Sequence, residues 1–139
     1  MSLDITSMHK AIYSLEIALK VYESYLTGSE KDPDFIRTLK AGVVQNFEFT
    51  YELAWKFMRR WVEINVRSTI IGITRRELYR YAAENGLIED IAKWMDYNEA
   101  RNITSHTYDE EKANLIVSKA FEFKEDAIAF YSALEERNQ

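Results

Sequence analysis

Three side chains in the last third of the chain could act on a phosphodiester. They are Arg101, His106 and Tyr108, in the run Arg101-Asn102-Ile103-Thr104-Ser105-His106-Thr107-Tyr108. A guanidinium presents a planar fork of donors to phosphate oxygens and to the charge that builds on them during displacement. An imidazole titrates near pH 6.5 when unperturbed, so it can take or give a proton at neutral pH. Asn102 could hold a substrate or orient the imidazole, and the Tyr108 hydroxyl is a hydrogen-bond donor or a site of modification. The chain has only two histidines, His9 and His106, far apart in sequence, and no cysteine. No metal-ligand set accompanies the run, so chemistry without a metal or cofactor is expected. A second reading stays open beside this one, in which the same residues form an internally satisfied polar network at a helix junction. What faces Arg101 separates the two, because a half-buried guanidinium keeps its proton and must find an anion. That anion is either internal (Glu48, Glu52 or Asp96) or a ligand.

The elements that position these residues are helices. One proline and four glycines leave little material for turns, and apolar residues recur at steps of three and four almost throughout. Met8, Ile12, Leu15, Leu19 and Tyr22 mark a first helix, with Ser7 as N-cap and Gly28 just beyond its end. Asp32-Pro33 supplies a cap and a first-turn proline for a long second helix over about 34–64. Its inward stripe reads Ile36, Leu39, Val43, Phe47, Thr50, Ala54, Phe57, Trp61 and Ile64. The β-branched segment 65–73 reads as an extended connector. Thr74-Arg75-Arg76-Glu77 has the form of a capping box and opens a short third helix that stops at Asn85-Gly86. A fourth helix is expected from Leu87 to about Asn102. Thr107-Tyr108-Asp109-Glu110 offers a second capping box for a last helix running to about Glu135. The expected fold is all-α: one domain over residues 1–139, an antiparallel four-helix up-and-down bundle with a short extra helix. Projected forward as a helix, the fourth element places Ile91, Met95, Asn98, Asn102 and His106 on one stripe, with Arg101 and Tyr108 on the next.

Composition narrows the setting. A chain of 139 residues with 47% hydrophobic content can bury a core without disulfide or metal. Nothing resembles a signal peptide or a membrane span, so a soluble, cytoplasmic protein with no membrane contact is expected. The net charge of −5 opposes nonspecific attraction to nucleic acid, yet seven basic residues face two acids between Lys56 and Arg80, a local +5. That segment is either a solvated helix face or a phosphate-facing patch. The second helix also carries Phe47, Phe49, Tyr51, Trp55, Phe57 and Trp61, too many aromatics for one stripe. A homodimer or higher homo-oligomer using part of this helix is expected, against the plainer reading of a wide stripe in a thick core.

Arginine, four residues, histidine, one residue and tyrosine is a pattern that resembles the signature of HEPN-domain proteins paired with minimal nucleotidyltransferases. The stretch from Asn46 to Lys56, "NFEFTYELAWK", together with "ENGLIEDIAKWMD", resembles the branch known as nucleotidyltransferase substrate-binding proteins. The resemblance implies a dimerising helical bundle with the Arg/His motifs of two subunits close together. It also implies a separately encoded minimal nucleotidyltransferase as partner. In toxin/antitoxin relatives the helical protein is a metal-independent ribonuclease, silenced by nucleotide transfer to the motif tyrosine. In the other reading of this branch it is a non-catalytic subunit that binds nucleotide or substrate for the transferase. Carried over, Arg101 would grip the scissile phosphate, His106 would be general acid or base on a ribose 2'-hydroxyl, and Asn102 would support them. Tyr108 would be the modified residue. From the residues themselves, Asn98, Glu48 and Glu52 are expected to join Arg101 in substrate binding. The remaining alternative is a purely structural helical dimer.

Overall fold

The computed structural model describes residues 3–66 and 70–138, which form five α-helices and one 3₁₀ turn: α1 (Thr6–Leu26), α2 (Pro33–Asn65), α3 (Arg75–Glu84), α4 (Ile91–Asn102), the turn Thr104–His106, and α5 (Glu110–Arg137). The all-α bundle expected from periodicity is the fold found. Among the described residues no helix is long and apolar enough to cross a membrane. Long α1, α2 and α5 pack on one another, α4 fills the position between α2 and α5, and α3 joins α2 to α4. Arg67, part of the basic segment, lies outside the described residues, as does the middle of the 65–73 connector.

Local chemistry sets the boundaries. Asp32 caps α2 by accepting from the Asp34 amide, with Pro33 in the first turn. Thr74 and Glu77 close the anticipated capping box of α3. That helix ends in a Schellman arrangement: the Leu87 amide reaches the Ala82 carbonyl at 2.9 Å and the Gly86 amide reaches Ala83 at 3.1 Å. Gly86 stands at φ +76°, and a Cβ there would lie 2.6 Å from Arg137 Nη2. α5 in turn docks its end on this turn, Arg137 Nε donating to the Asn85 carbonyl at 3.0 Å. The first and last described residues meet as well. The Leu3 amide donates to Asn138 Oδ1, and Asn138 Nδ2 donates back to the Leu3 carbonyl, both at 2.7 Å.

Four sequence expectations shift. α1 begins at Thr6 with no side-chain cap, so Ser7 lies inside the helix. α4 begins at Ile91 behind an Asp90 cap rather than at Leu87, because Asp90 accepts from the Lys93 amide while Leu87 and Ile88 bury themselves as non-helical chain. α5 is capped by Asp109, which accepts from the Glu111 and Lys112 amides, and not by Thr107. The inward stripe of α2 gains Val44, Tyr51, Met58 and Val62, whereas Ile36, Leu39, Phe57 and Ile64 are only half-buried.

The core is aromatic at its centre. The ring of Phe123 on α5 meets Phe47, Tyr51, Trp94 and Tyr97 at centroid distances of 5.1–6.1 Å, mostly edge-on, the arrangement that ring quadrupoles favour. The aromatic surplus of α2 is therefore largely absorbed inside: Phe47, Tyr51 and Trp61 are buried, Trp55 and Phe57 half-buried, and Phe49 alone of the six is exposed, at 52%. Of the two readings of that surplus, the thick core accounts for most of it.

Candidate phosphodiester site

α4 stops at Asn102 and the chain tightens into the 3₁₀ turn before α5, so the run that carries the chemistry is a helix junction rather than a continuous helix. That break decides where its side chains go. Arg101, in the last turn of α4, points at α2. Its Nε donates to Glu52 Oε1 at 2.9 Å and its Nη1 lies 3.4 Å from Glu48 Oε2. Glu48 and Glu52 are one turn apart on α2, which is why one guanidinium reaches both. Thr104 completes the cluster: its hydroxyl is shared between the Glu48 carboxylate and the Arg101 carbonyl, and Arg101 Nη1 approaches it at 3.4 Å. The Arg101 side chain remains one-third exposed.

The anion facing Arg101 within the chain is thus a pair of carboxylates, and the cluster carries one negative charge in total. Asp96, the third candidate, turns instead toward Lys119 at 3.9 Å. Arg101 Nη2 makes no hydrogen bond among the described residues, and the side chain that carries it is partly exposed. A phosphate arriving there would meet a cation held rigidly in place but partly neutralised.

His106 is half-buried at the end of the 3₁₀ turn, its ring 6.0 Å from that of Tyr108 at 64°. Tyr108 is 85% exposed, so its hydroxyl is open to a second protein. Beside it lies a pocket of about 540 Å³ whose walls include Ile36, Arg37, Lys40, Val44 and Ala113. Arg101 and His106 do not hydrogen-bond to each other within the chain.

Two expected site residues sit elsewhere. Asn102 is exposed, because the buried face of α4 runs through Trp94, Tyr97 and Ala100, and the projected stripe through Ile91, Met95 and Asn98 is only half-buried and leaves the core at Asn102. Asn98 belongs to a different cluster: its Oδ1 accepts from the Tyr51 hydroxyl at 3.0 Å and lies 3.4 Å from Arg75 Nη1. Tyr51 in turn accepts from Arg75 Nη1 at 2.9 Å and pairs with the Tyr79 hydroxyl. Burial pushes both phenols above the ordinary tyrosine range. Thr104 was missed; its signal was a threonine three residues after an arginine, where a hydroxyl can bond back to the helix.

The helix order and the site geometry can be set against known proteins. Residues 3–136 match the family described as nucleotidyltransferase substrate binding protein like. The chain belongs to this family. It is 36% identical over 140 residues to a Haemophilus influenzae protein named probable ribonuclease HepT, covering 99% of this chain and 95% of that one. Among solved structures of similar fold, one from Haemophilus influenzae aligns with a TM-score of 0.88 and 33% identity over 95% of this chain and 99% of its own. It is described as revealing the fold of a substrate binding domain of a nucleotidyltransferase. A Thermus thermophilus structure at 22% identity and a TM-score of 0.62 shares the fold, covering 86% of this chain and 98% of its own.

Proposed function

We propose that this family member is the helical subunit of a two-component minimal nucleotidyltransferase system of the toxin/antitoxin kind. It acts in the cytoplasm as a homodimer that cleaves RNA without a metal and is regulated by nucleotide transfer to Tyr108. The observation that carries the reading is the junction itself: the end of α4, the 3₁₀ turn and the connection into α5 display Arg101, His106 and an open Tyr108 within eight residues. The name of the Haemophilus relative at 36% identity supports the activity.

In the reaction, His106 takes the proton of a ribose 2'-hydroxyl, and the freed oxygen attacks the adjacent phosphorus. Arg101, fixed by Glu48 and Glu52, receives the charge that builds on the phosphoryl oxygens through its remaining donors. The bond from phosphorus to the 5'-oxygen breaks, and that oxygen takes a proton from solvent or from the His106 of a second copy. The products are a 2',3'-cyclic phosphate and a 5'-hydroxyl end. In the regulatory step the Tyr108 oxygen attacks the α-phosphorus of a nucleoside triphosphate held by the transferase, pyrophosphate leaves, and the phenolic proton is released.

The carboxylate pair on Arg101 favours a second reading, in which the subunit binds nucleotide or substrate for the transferase and cuts nothing. Incubating pure protein with RNA in chelator, wild type against His106→Ala, distinguishes them. The ribonuclease reading expects cyclic phosphate ends from wild type and none from the variant. Intact RNA with wild-type protein lacking any Tyr108 modification would falsify it.

A further inference from the structure

Arg75 has no acid paired with it among the described residues. Among the described residues Arg37, Arg59, Arg80, Arg101 and Arg137 each pair with a carboxylate. Arg60 and Arg76 pair with none of the described carboxylates but are exposed. Arg75 is half-buried, and its hydrogen bonds go to neutral oxygens, the Tyr51 hydroxyl at 2.9 Å and Asn98 Oδ1 at 3.4 Å. Its guanidinium lies 3.8 Å from the centre of the Trp55 ring. Stacking and neutral acceptors hold this cation flat without cancelling its charge.

The position is not isolated from the motif. Glu48, Glu52, Trp55 and Arg59 follow one another on α2 at steps of four, three and four, so they share a face. Trp55 Nε1 donates to Glu52 Oε2 at 3.2 Å, and the other oxygen of that carboxylate accepts from Arg101. A contact path therefore runs from Arg101 through Glu52 and Trp55 to Arg75. Beyond it an open pocket of about 210 Å³ is bounded by Trp55, Arg59, Thr74 and Arg75. It is large enough for a phosphate with its sugar and too small for a duplex. From Glu52 to Arg59 the helix rises about 10 Å, a span that an unpaired strand, whose phosphates stand farther apart than the ~3.4 Å axial rise of a duplex, covers in about two steps.

The geometry points to a second phosphate subsite at Arg75 and Arg59, about two nucleotides along a single RNA strand from the phosphate at Arg101, with the Trp55 indole as its platform. This rests on the ribonuclease reading for the polarity of the tract and names its substrate as single-stranded RNA. Cations beside an aromatic platform are the means by which proteins hold single strands independently of sequence. Lys56, whose ammonium lies 5.9 Å from the same indole, adds charge at the rim.

The test uses the full chain carrying His106→Ala, an eight-nucleotide uridylate oligomer, and anisotropy over a salt series. Arg75→Ala and Arg59→Ala should each weaken binding about fivefold and lower the slope of log affinity against log salt by about one. Arg75→Lys should fall between, since it keeps charge and loses the fork, and Lys20→Ala on α1 should change nothing. Unchanged affinity and slope in Arg75→Ala and Arg59→Ala overturn the subsite. So does binding of uridine monophosphate with the same dependence on Arg75, because a lone nucleotide needs no tract. If Arg75→Ala fails to fold, Arg59→Ala and Arg75→Lys decide alone. A parallel cleavage assay with wild-type protein separates the two ideas. A dinucleotide cut as fast as the octamer leaves the ribonuclease and removes the subsite. Arg75-dependent binding with no RNA cut leaves the subsite and removes the ribonuclease.

Discussion

Tyr51→Phe removes one buried hydroxyl that has three hydrogen-bond partners. The Tyr51 side chain is fully buried, as is Tyr79. One proton arrangement satisfies the cluster: Tyr51 donates to Asn98 Oδ1 and accepts from the Tyr79 hydroxyl and from Arg75 Nη1. Phenylalanine there leaves a buried Tyr79 donor with nothing to meet and takes one acceptor from Arg75, while ring packing on Phe47 and Phe123 is kept. Leaving a buried donor unmet costs about 1–3 kcal/mol, so we take about 2. With an unfolding entropy of roughly 2.1 cal/mol/K per residue, a chain of 139 residues loses about 7 °C in Tm. Calorimetry of Tyr51→Phe, Tyr79→Phe and the double variant checks this. Once Tyr51 is gone, the Tyr79 hydroxyl has no native acceptor, so removing it too should cost less than about 0.5 kcal/mol further. Strict additivity, or a Tm shift under about 2 °C for Tyr51→Phe, would show that water or rearrangement satisfies the cluster and that the hydroxyls do not act as a unit.

Asp109→Ala should destabilise by about 1 kcal/mol through loss of the α5 cap, and Thr107→Ala by much less, read as denaturant midpoints at constant m. Gly86→Ala should cost about 1–2 kcal/mol, because alanine resists positive φ and its methyl would displace the Arg137 fork; truncating Arg137 as well should recover only the clash. Burial raises the Tyr51 and Tyr79 pKa values above the ordinary tyrosine value of about 10. Unfolded phenols therefore release protons first, so the stability present below pH 10 should fall as pH rises past it. In the Tyr79→Phe variant that alkaline decline should be shallower, measured by urea titration from pH 8 to pH 11.

Most of the fold was legible because its signals are local. Asp32-Pro33, Thr74 with Glu77, and Asn85-Gly86 each dictate a helix end from a few consecutive residues, and the structure uses all three. Periodicity misled where the helix stopped being one. Extending α4 past Asn102 put Asn102 and His106 on a common face, and a 3₁₀ turn removes that relation at once. Leu87 and Ile88 imitated the first turn of α4, since apolar residues bury themselves as readily in chain entering a helix as in the helix. For the site, Arg101, His106 and Tyr108 were readable by type and spacing, and Glu48 and Glu52 were named as candidate anions. The assignment of Asn98 to the Tyr51 cluster was not readable. It depends on three helices meeting, which no single stretch of sequence encodes, and the same is true of the Trp55 to Arg75 stack.

The paired hydrogen bonds between Leu3 and Asn138 make the described chain nearly a ring. A helical bundle closed in this way has no privileged starting point. A short bridge across Leu3 and Asn138 would let new ends be opened in the exposed α1–α2 connection, at Ser29 or Glu30, without cutting an element. Such a permuted chain would move the tether point of any fused partner to the other end of α1, so that the approach to the Arg101 junction could be varied by topology alone with every core residue unchanged.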